Sequence, residues 1–338
     1  MTTTRVVAPR RGLLAAAGAA LGAAAPALPR RALAQGPQWP DRPVRVVVGF
    51  PPGGSLDVLS RLMAEQLSQR TGQPVVVENR PGAAGNIGAD AVAKAAPDGA
   101  TIGTVGFTIP LVAPHLYARL PFDPERDFLY VSEVWEFPNV AVVPAAHVPA
   151  RTVEEFTTWA RAQPRGVSYG SPGVGTSPHL SAALFLDRAG LKGEHVPFRG
   201  AAQTIPAMLS GDVHFAIDNL ASYVPVIQEG RMRALAVTSA ERWPTLPEVP
   251  TLQEAGGPAG FVAVSWTMWA FPAGTPRPIV ERLTAEIAAI NGSPALQERA
   301  RGMGARLLSG TPDAARARIE RERTLWRDMV RVSGARME

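Results

Sequence analysis

From about residue 43 onward, strand-like and helix-like segments alternate along this chain, and that alternation limits its fold more than any other feature. The first instance sets the pattern. The run "RPVRVVV" (42–48) is rich in β-branched residues, which suit a buried strand. The run "VLSRLMAEQLSQR" (58–70) places Leu59, Leu62, Met63 and Leu67 at helical spacing. Between them lies "GFPPGGSLD" (49–57), a turn of two prolines, two adjacent glycines and a serine. Strands follow near 74–78, 101–105, 167–170, 213–218 and 232–239, and helices near 86–96, 152–163, 201–211 and 223–230. Helices at 276–290, 294–303 and 312–332 close the chain. Such alternation predicts an α/β fold built on parallel sheets. A length of 338 residues suggests two domains. Two long extended runs, 128–143 and 261–271, are the candidates for strands crossing between them.

The first 35 residues are of a different kind. They carry a basic start, an Ala/Leu/Gly stretch and "ALA" at 32–34, the marks of a secretory signal cut before Gln35. Arg10-Arg11 leaves twin-arginine and ordinary export both open. The signal also decides how charge is read. The chain has 34 basic and 29 acidic residues, but residues 1–34 hold five arginines and no acid. Without them the two signs balance at 29 each, so a basic surface for nucleic acid is not expected. The chain has no cysteine, so an exported form holds together through its core.

The joints between strands and helices are where chemistry is expected. A helix start leaves backbone N–H groups unpaired, with partial positive charge, and glycine lets a ligand approach them. Three joints have this build: "GFPPGGSLD", "NRPGAAGNIG" (79–88) and "YGSPGVGTSPHL" (169–180). If the first and third face each other across a cleft, they hold a small carboxylate from both sides. Asp57 favours the helix dipole but would repel an anion. Asp218 and Asn219 end a strand, a place that often faces a cleft. Arg80 and Arg199 lie beside glycine-rich turns and could add positive potential.

Other chemistries lack their motifs. Neither Lys94 nor Lys192 completes a P-loop, no G-x-S-x-G elbow occurs, and the glycine spacing is wrong for a dinucleotide. The five histidines form no H-E-x-x-H and, without cysteine, point to no metal. The sequence therefore calls for no cofactor. The alternative to a binding protein is an exported α/β hydrolase, with Ser177, His179 and Asp57 as its best residues. A further alternative is a solute sensor with a signalling partner.

Six blocks carry a family resemblance: "WPDRPVRVVVGFPPGGSLDVLSR", "VVVENRPGAAGNIGADAVAKAAPDG", "YGSPGVGTSPHL", "VPFRGAAQTIPAMLSGDVHFAIDNL", "MRALAVTSAERWPTLPEVPTLQEAG" and "FPAGTPRPIVERLTAEI". In this order they resemble the Bug family, the extracytoplasmic solute-binding proteins of tripartite tricarboxylate transporters. The resemblance implies a two-lobed periplasmic-binding-protein (Venus flytrap) fold with two crossover strands. One lobe would comprise 36–135 plus 267–338 and the other 136–266. It implies a monomeric, non-enzymatic periplasmic protein that captures a small organic acid by hinge closure and delivers it to membrane permease subunits. Carried over, the gripping residues are Phe50, Gly53, Gly54, Ser55 and Asp57 on one lobe, and Ser171, Gly175, Thr176, Ser177 and Asp218 on the other. The chain departs from the family at Gly49, commonly proline, and at Ser60, commonly alanine. "TVGFTIPLV" (104–112) and "SWTMWAF" (265–271) also depart, and both are candidates to line the pocket and favour a bulkier, less polar ligand.

Overall fold

The β-branched run at the start forms β1 (Val44–Val48), flanked in parallel by β2 (Val75–Asn79) and β3 (Thr101–Gly106). The structure is a computed structural model and describes residues 1–4, 39–259 and 261–337. The expected export signal and its cleavage point fall almost wholly outside the described residues. Pro37–Glu338 make up one compact unit, which holds every strand and helix named below.

Helix α1 (Ser55–Thr71) connects β1 to β2 and buries Leu59, Leu62, Met63 and Leu67, the stripe its spacing predicts. Helix α2 (Asn86–Ala93) connects β2 to β3. At its start two backbones touch: a Cβ on Gly88 would lie 2.7 Å from the Gly49 Cα. Glycine at both positions is thus a packing requirement. A π-helical turn (Thr108–Val112) and the short α3 (Ala113–Leu116) follow β3.

Strand β4 (Phe128–Pro144) is 17 residues long, about 58 Å at strand rise. Beyond it come α4 (Val153–Arg161), β5 (Val167–Ser171), α5 (Ser177–Arg188), β6 (Gly193–Pro197), α6 (Ala201–Leu209), β7 (Ala216–Asn219), α7 (Leu220–Gln228) and β8 (Met232–Val237). The chain returns along β9 (Val264–Pro272) and ends with α8 (Arg277–Asn291), α9 (Pro294–Gly302), β10 (Arg306–Leu307) and α10 (Pro312–Ser333).

Strand β4 changes partners midway. From Phe128 to Pro138 it pairs antiparallel with β9, which in turn pairs with β3; from Asn139 onward it pairs with β7 and β8. The two extended runs expected to cross between lobes are therefore neighbours. The sheet is mixed, not parallel throughout: β1–β3 and β5–β6 are parallel, and the pairings of β4 and β9 are antiparallel. The reason is topological. A strand that leaves a lobe and one that returns run in opposite directions, whereas helical crossovers give parallel neighbours.

The expected strand near 213–218 is shared between two partners: the His214 N–H donates to the Ser168 carbonyl and Phe215 bridges Tyr169 of β5, and only from Ala216 does the chain pair with β4 as β7. Strand β6 had no sequence signal. "GEHVP" is half exposed and supplies little β-branched surface.

Candidate functional site

Four helices begin around one cavity. The starts of α1 (Gly54, Ser55, Leu56) and α5 (Thr176, Ser177, Pro178) line it, as do those of α6 (Gly200, Ala201, Ala202) and α7 (Asn219, Ser222). None of the four takes a side-chain cap. Away from the cavity, α4, α9 and α10 are capped by Thr152, Ser293 and Thr311. Helices α2, α3 and α8 also lack a side-chain cap, but they open elsewhere. Four uncapped starts converging on one space concentrate free N–H groups and the positive ends of four dipoles there.

The loop before α1 is built by Asp57. Its buried carboxylate accepts hydrogen bonds from the Gly53 N–H (2.9 Å), Asn79 Nδ2 (2.8 Å) and Arg61 Nε (3.1 Å). Asn79 Nδ2 also donates to the Phe50 carbonyl at 3.0 Å. Burial alone would raise the Asp57 carboxyl, but Arg61, the Gly53 amide and Asn79 together hold it below the usual carboxylate range. Asp57 therefore stays ionised, and the charge that would repel an anion is offset by Arg61 and turned toward the Gly53 and Asn79 N–H donors.

The loop before α5 is built by Ser171 and two histidines. Ser171 Oγ accepts from the Gly173 N–H at 3.1 Å and lies 2.7 Å from His195 Nε2. The Gly175 N–H donates to His179 Nδ1 at 3.2 Å. The His179 and His195 rings stack with centroids 4.0 Å apart. Burial, with His195 beside it, lowers His179 to about 3, and burial lowers His195 to about 4, so both are neutral at physiological pH.

Of the ten residues named from the sequence, Phe50, Gly54, Ser55, Thr176, Ser177 and Asp218 line the cavity. Gly53, Asp57, Ser171 and Gly175 do not: they set the two loops through the bonds just described. Gly175 has φ +79°, the left-handed region that favours glycine, and a Cβ there would also run into the Leu116 side chain. Ser177 Oγ contacts Ser265 Oγ at 2.5 Å and Asn139 Oδ1 at 3.4 Å. It is not bonded to His179, so the serine–histidine pair of the hydrolase alternative is not assembled.

The cavity floor comes from the two stretches that depart from the family: Gly106, Phe107 and Thr108 in one, Ser265, Trp266 and Thr267 in the other. Behind the floor, the Trp266 Nε1–H donates to Glu322 Oε2 at 2.7 Å, and Trp326 Nε1–H donates to the same oxygen at 3.0 Å. Phe107 stacks on Trp326 at 4.0 Å. Among the described residues no lysine or arginine lines this cavity.

Asp218 does line it, almost wholly buried, accepting from its neighbour's Asn219 N–H (2.6 Å) and from Tyr223 Oη (3.1 Å). Burial pushes its carboxyl up to about 7 against those two bonds. The start of α6 was not foreseen; the glycine before "AAQTIPAML" was its signal. The start of α7 was foreshadowed by Asn219 at the end of its strand.

The cavity is narrow. Ser55 Oγ and Ser222 Oγ are hydrogen-bonded at 2.6 Å from opposite walls, and about 80 Å³ is left for the centres of water molecules. The middle glycine-rich joint opens on a neighbouring cavity with Gly82, Gly85, Tyr117 and Arg199. Of the two arginines considered from the sequence, Arg199 sits there, and Arg80 pairs with Glu78 at 2.6 Å.

The sequence model described as "Tripartite tricarboxylate transporter family receptor" matches residues 59–317. A protein from Pseudomonas sp. (strain P51), "UPF0065 protein in tcbD-tcbE intergenic region", is 39% identical over 292 residues, 86% of each chain. Protein BugT of Bordetella pertussis is 35% identical over 301 residues, 89% of this chain and 92% of BugT. Among solved structures, R. palustris Rpa4515 with adipate has a TM-score of 0.85 at 36% identity, covering 88% of this chain and 100% of that one.

Proposed function

This chain belongs to the tripartite tricarboxylate transporter receptor family, the Bug-type periplasmic solute-binding proteins, and on that basis we propose that its cavity captures a small organic acid through backbone amides at the opposed starts of α1 and α5, with those of α6 and α7 beside them. The protein works as an extracytoplasmic receptor. It presents its ligand to the membrane subunits of a tripartite transporter and performs no chemistry on it. The convergence of four uncapped helix starts on one cavity carries this reading. The adipate bound by the related R. palustris protein supports a carboxylate as the ligand class.

Capture needs a moving part. We assign residues 36–135 plus 267–338 to one lobe and 136–266 to the other, with the pivot near the partner change on β4 between Pro138 and Asn139. Asn139 suits a pivot. Its buried amide bonds to Ser181 and Asn219, and its backbone bonds to Thr238. Opening would part Ser55 from Ser222 and expose the two walls. Ligand would then favour the closed form by its differential affinity.

A thermal-shift screen of carboxylic acids, followed by small-angle scattering with the best hit, tests this. At a ligand concentration one hundred times Kd the stabilisation is about 2.7 kcal/mol. The expected result is a higher melting temperature with acids and a smaller radius of gyration on saturation. An unchanged radius at saturation contradicts hinge closure, and no shift with any acid contradicts the ligand class.

A further inference from the structure

We propose that the turn after α9 and the segment after β8 form a clasp between the lobes, which holds the start of α7 in the site and favours the closed form. This rests on the hinge-closure reading and goes beyond it to the residues that set the balance between open and closed.

The clasp joins the two assigned lobes at three points. Trp243 Nε1–H donates to the Gly304 carbonyl at 3.1 Å, Thr245 Oγ1–H donates to the Arg301 carbonyl at 2.6 Å, and Arg306 Nη2 donates to Glu241 Oε1 at 2.7 Å. The Arg306 guanidinium also lies 4.5 Å from the centre of the Trp243 ring. Trp243 is rooted in the core of its own lobe with Val140, Met208 and Tyr223. The other half is anchored beside the pivot, where Arg306 and Leu307 of β10 pair with Glu136 and Trp135 of β4.

The clasp reaches the site through α7. Gly304 sits so close to the first turn of α7 that a Cβ would lie 3.1 Å from both the Ala221 amide nitrogen and Leu220 Cγ. Ala221 packs against the core of the opposite lobe, as do Met303 and Leu56 of α1. The next residue, Ser222, meets Ser55 across the cavity. Trp243, Thr245, Glu241 and Arg306 do not line that cavity. They act on a bound acid only through the position of α7 and the closed population, and affinity scales with that population.

The three points are unequal. The Trp243–Gly304 bond is buried, so removing its donor strands a carbonyl away from water. The Arg306–Glu241 pair is open to solvent, with side chains 42% and 68% exposed, and contributes little.

The chain has no cysteine, so nitroxide labels at Ile87→Cys and Arg199→Cys report one distance between the lobes. Arg199 lines the neighbouring cavity, and Ile87 abuts Gly82 on its facing wall. Electron-spin distance measurements on the free and adipate-saturated protein give the populations, and calorimetry gives the adipate affinity. Free Trp243→Phe should show more of the long-distance, open form than the parent and bind adipate about tenfold more weakly. Thr245→Val, which serves where the first variant fails to fold, should move both readouts the same way by about threefold. Glu241→Gln should change them by less than about twofold. A variant with the parent's populations and affinity but a lower melting temperature overturns the clasp, because Trp243 would then only fill its own core. A smaller open population in Trp243→Phe overturns it as well. The populations of the free protein decide the clasp whether or not adipate binds. If the parent's distances stay unchanged at saturation with adipate, the hinge reading falls too; if they shorten and the variants match the parent throughout, the clasp alone falls.

Discussion

A Gly54→Asp variant should melt at a higher temperature than the parent and lose its acid binding. Gly54 is the cap position of α1, with φ −79° and ψ 168°, a conformation aspartate adopts without strain. Its new carboxylate would accept from the free first-turn amides, the groups proposed to hold the ligand. Replacing a glycine cap by aspartate gains a few tenths of a kcal/mol, and favourable charge at a helix start adds about 0.3–1 kcal/mol. Against a bound acid about 5 Å away, the same charge costs about 3 kcal/mol at an effective dielectric of 20, more than a hundredfold in affinity. Stability and binding thus move in opposite directions, which unfolding or a packing defect cannot mimic. Gly54→Asn caps without the charge and should lose less affinity. If Gly54→Asp binds acid as tightly as the parent, the start of α1 does not hold the ligand.

The second large effect belongs to Asp218. Its folded-state pKa is raised, from 3.8 to about 7, mainly by burial. The folded protein therefore keeps a proton that the unfolded chain gives up. The sign follows: this contribution to stability is fully present below about pH 4 and is lost as pH rises through about 7. The full loss is about 4 kcal/mol. Asp218→Asn removes the ionisation and retains an oxygen for Tyr223, so the variant should gain melting temperature over the parent at pH 8 and little at pH 4. Binding follows the same sign. An acid anion in the cavity favours neutral Asp218, so affinity should fall as pH rises through 7 and binding should take up a proton. Calorimetry near pH 7 in two buffers of different ionisation enthalpy measures that uptake. It should vanish in Asp218→Asn; uptake that persists in the variant would assign the proton to another group.

Much of this fold can be read from the sequence, because periodicity records which faces are buried. The stripe on α1 and the β-branched run of β1 appear in the structure as predicted. The direction of pairing does not. Parallel and antiparallel pairs draw on the same residue types, and only the path of β4 out and β9 back decides between them. Strand β6 was hidden for a different reason: an exposed edge needs no hydrophobic pattern.

The site divides in a similar way. Glycine-rich turns announce a helix start near a ligand, which brought in Gly54, Ser55, Thr176 and Ser177. The turn chemistry does not say which of its residues face the cavity and which hold the loop. Asp57 and Ser171 are polar residues in these loops like Ser55 and Ser177, yet their side chains are spent on loop amides. Ser222 was missed because a serine inside the first turn of a helix has no distinguishing pattern. Phe107 and Trp266 could be suspected only as departures from a family. Their part in the floor depends on Trp326 and Glu322, more than 50 residues further along the chain.

The central claim is that main-chain amides, not cationic side chains, hold the acid between two lobes. A crystal structure of the protein with a bound carboxylic acid tests it most directly. The account predicts carboxylate oxygens within about 2.7–3.2 Å of amide nitrogens in the first turns of both α1 and α5. An acid seated instead on Arg199 in the neighbouring cavity, or touching only one of those two helix starts, would contradict it.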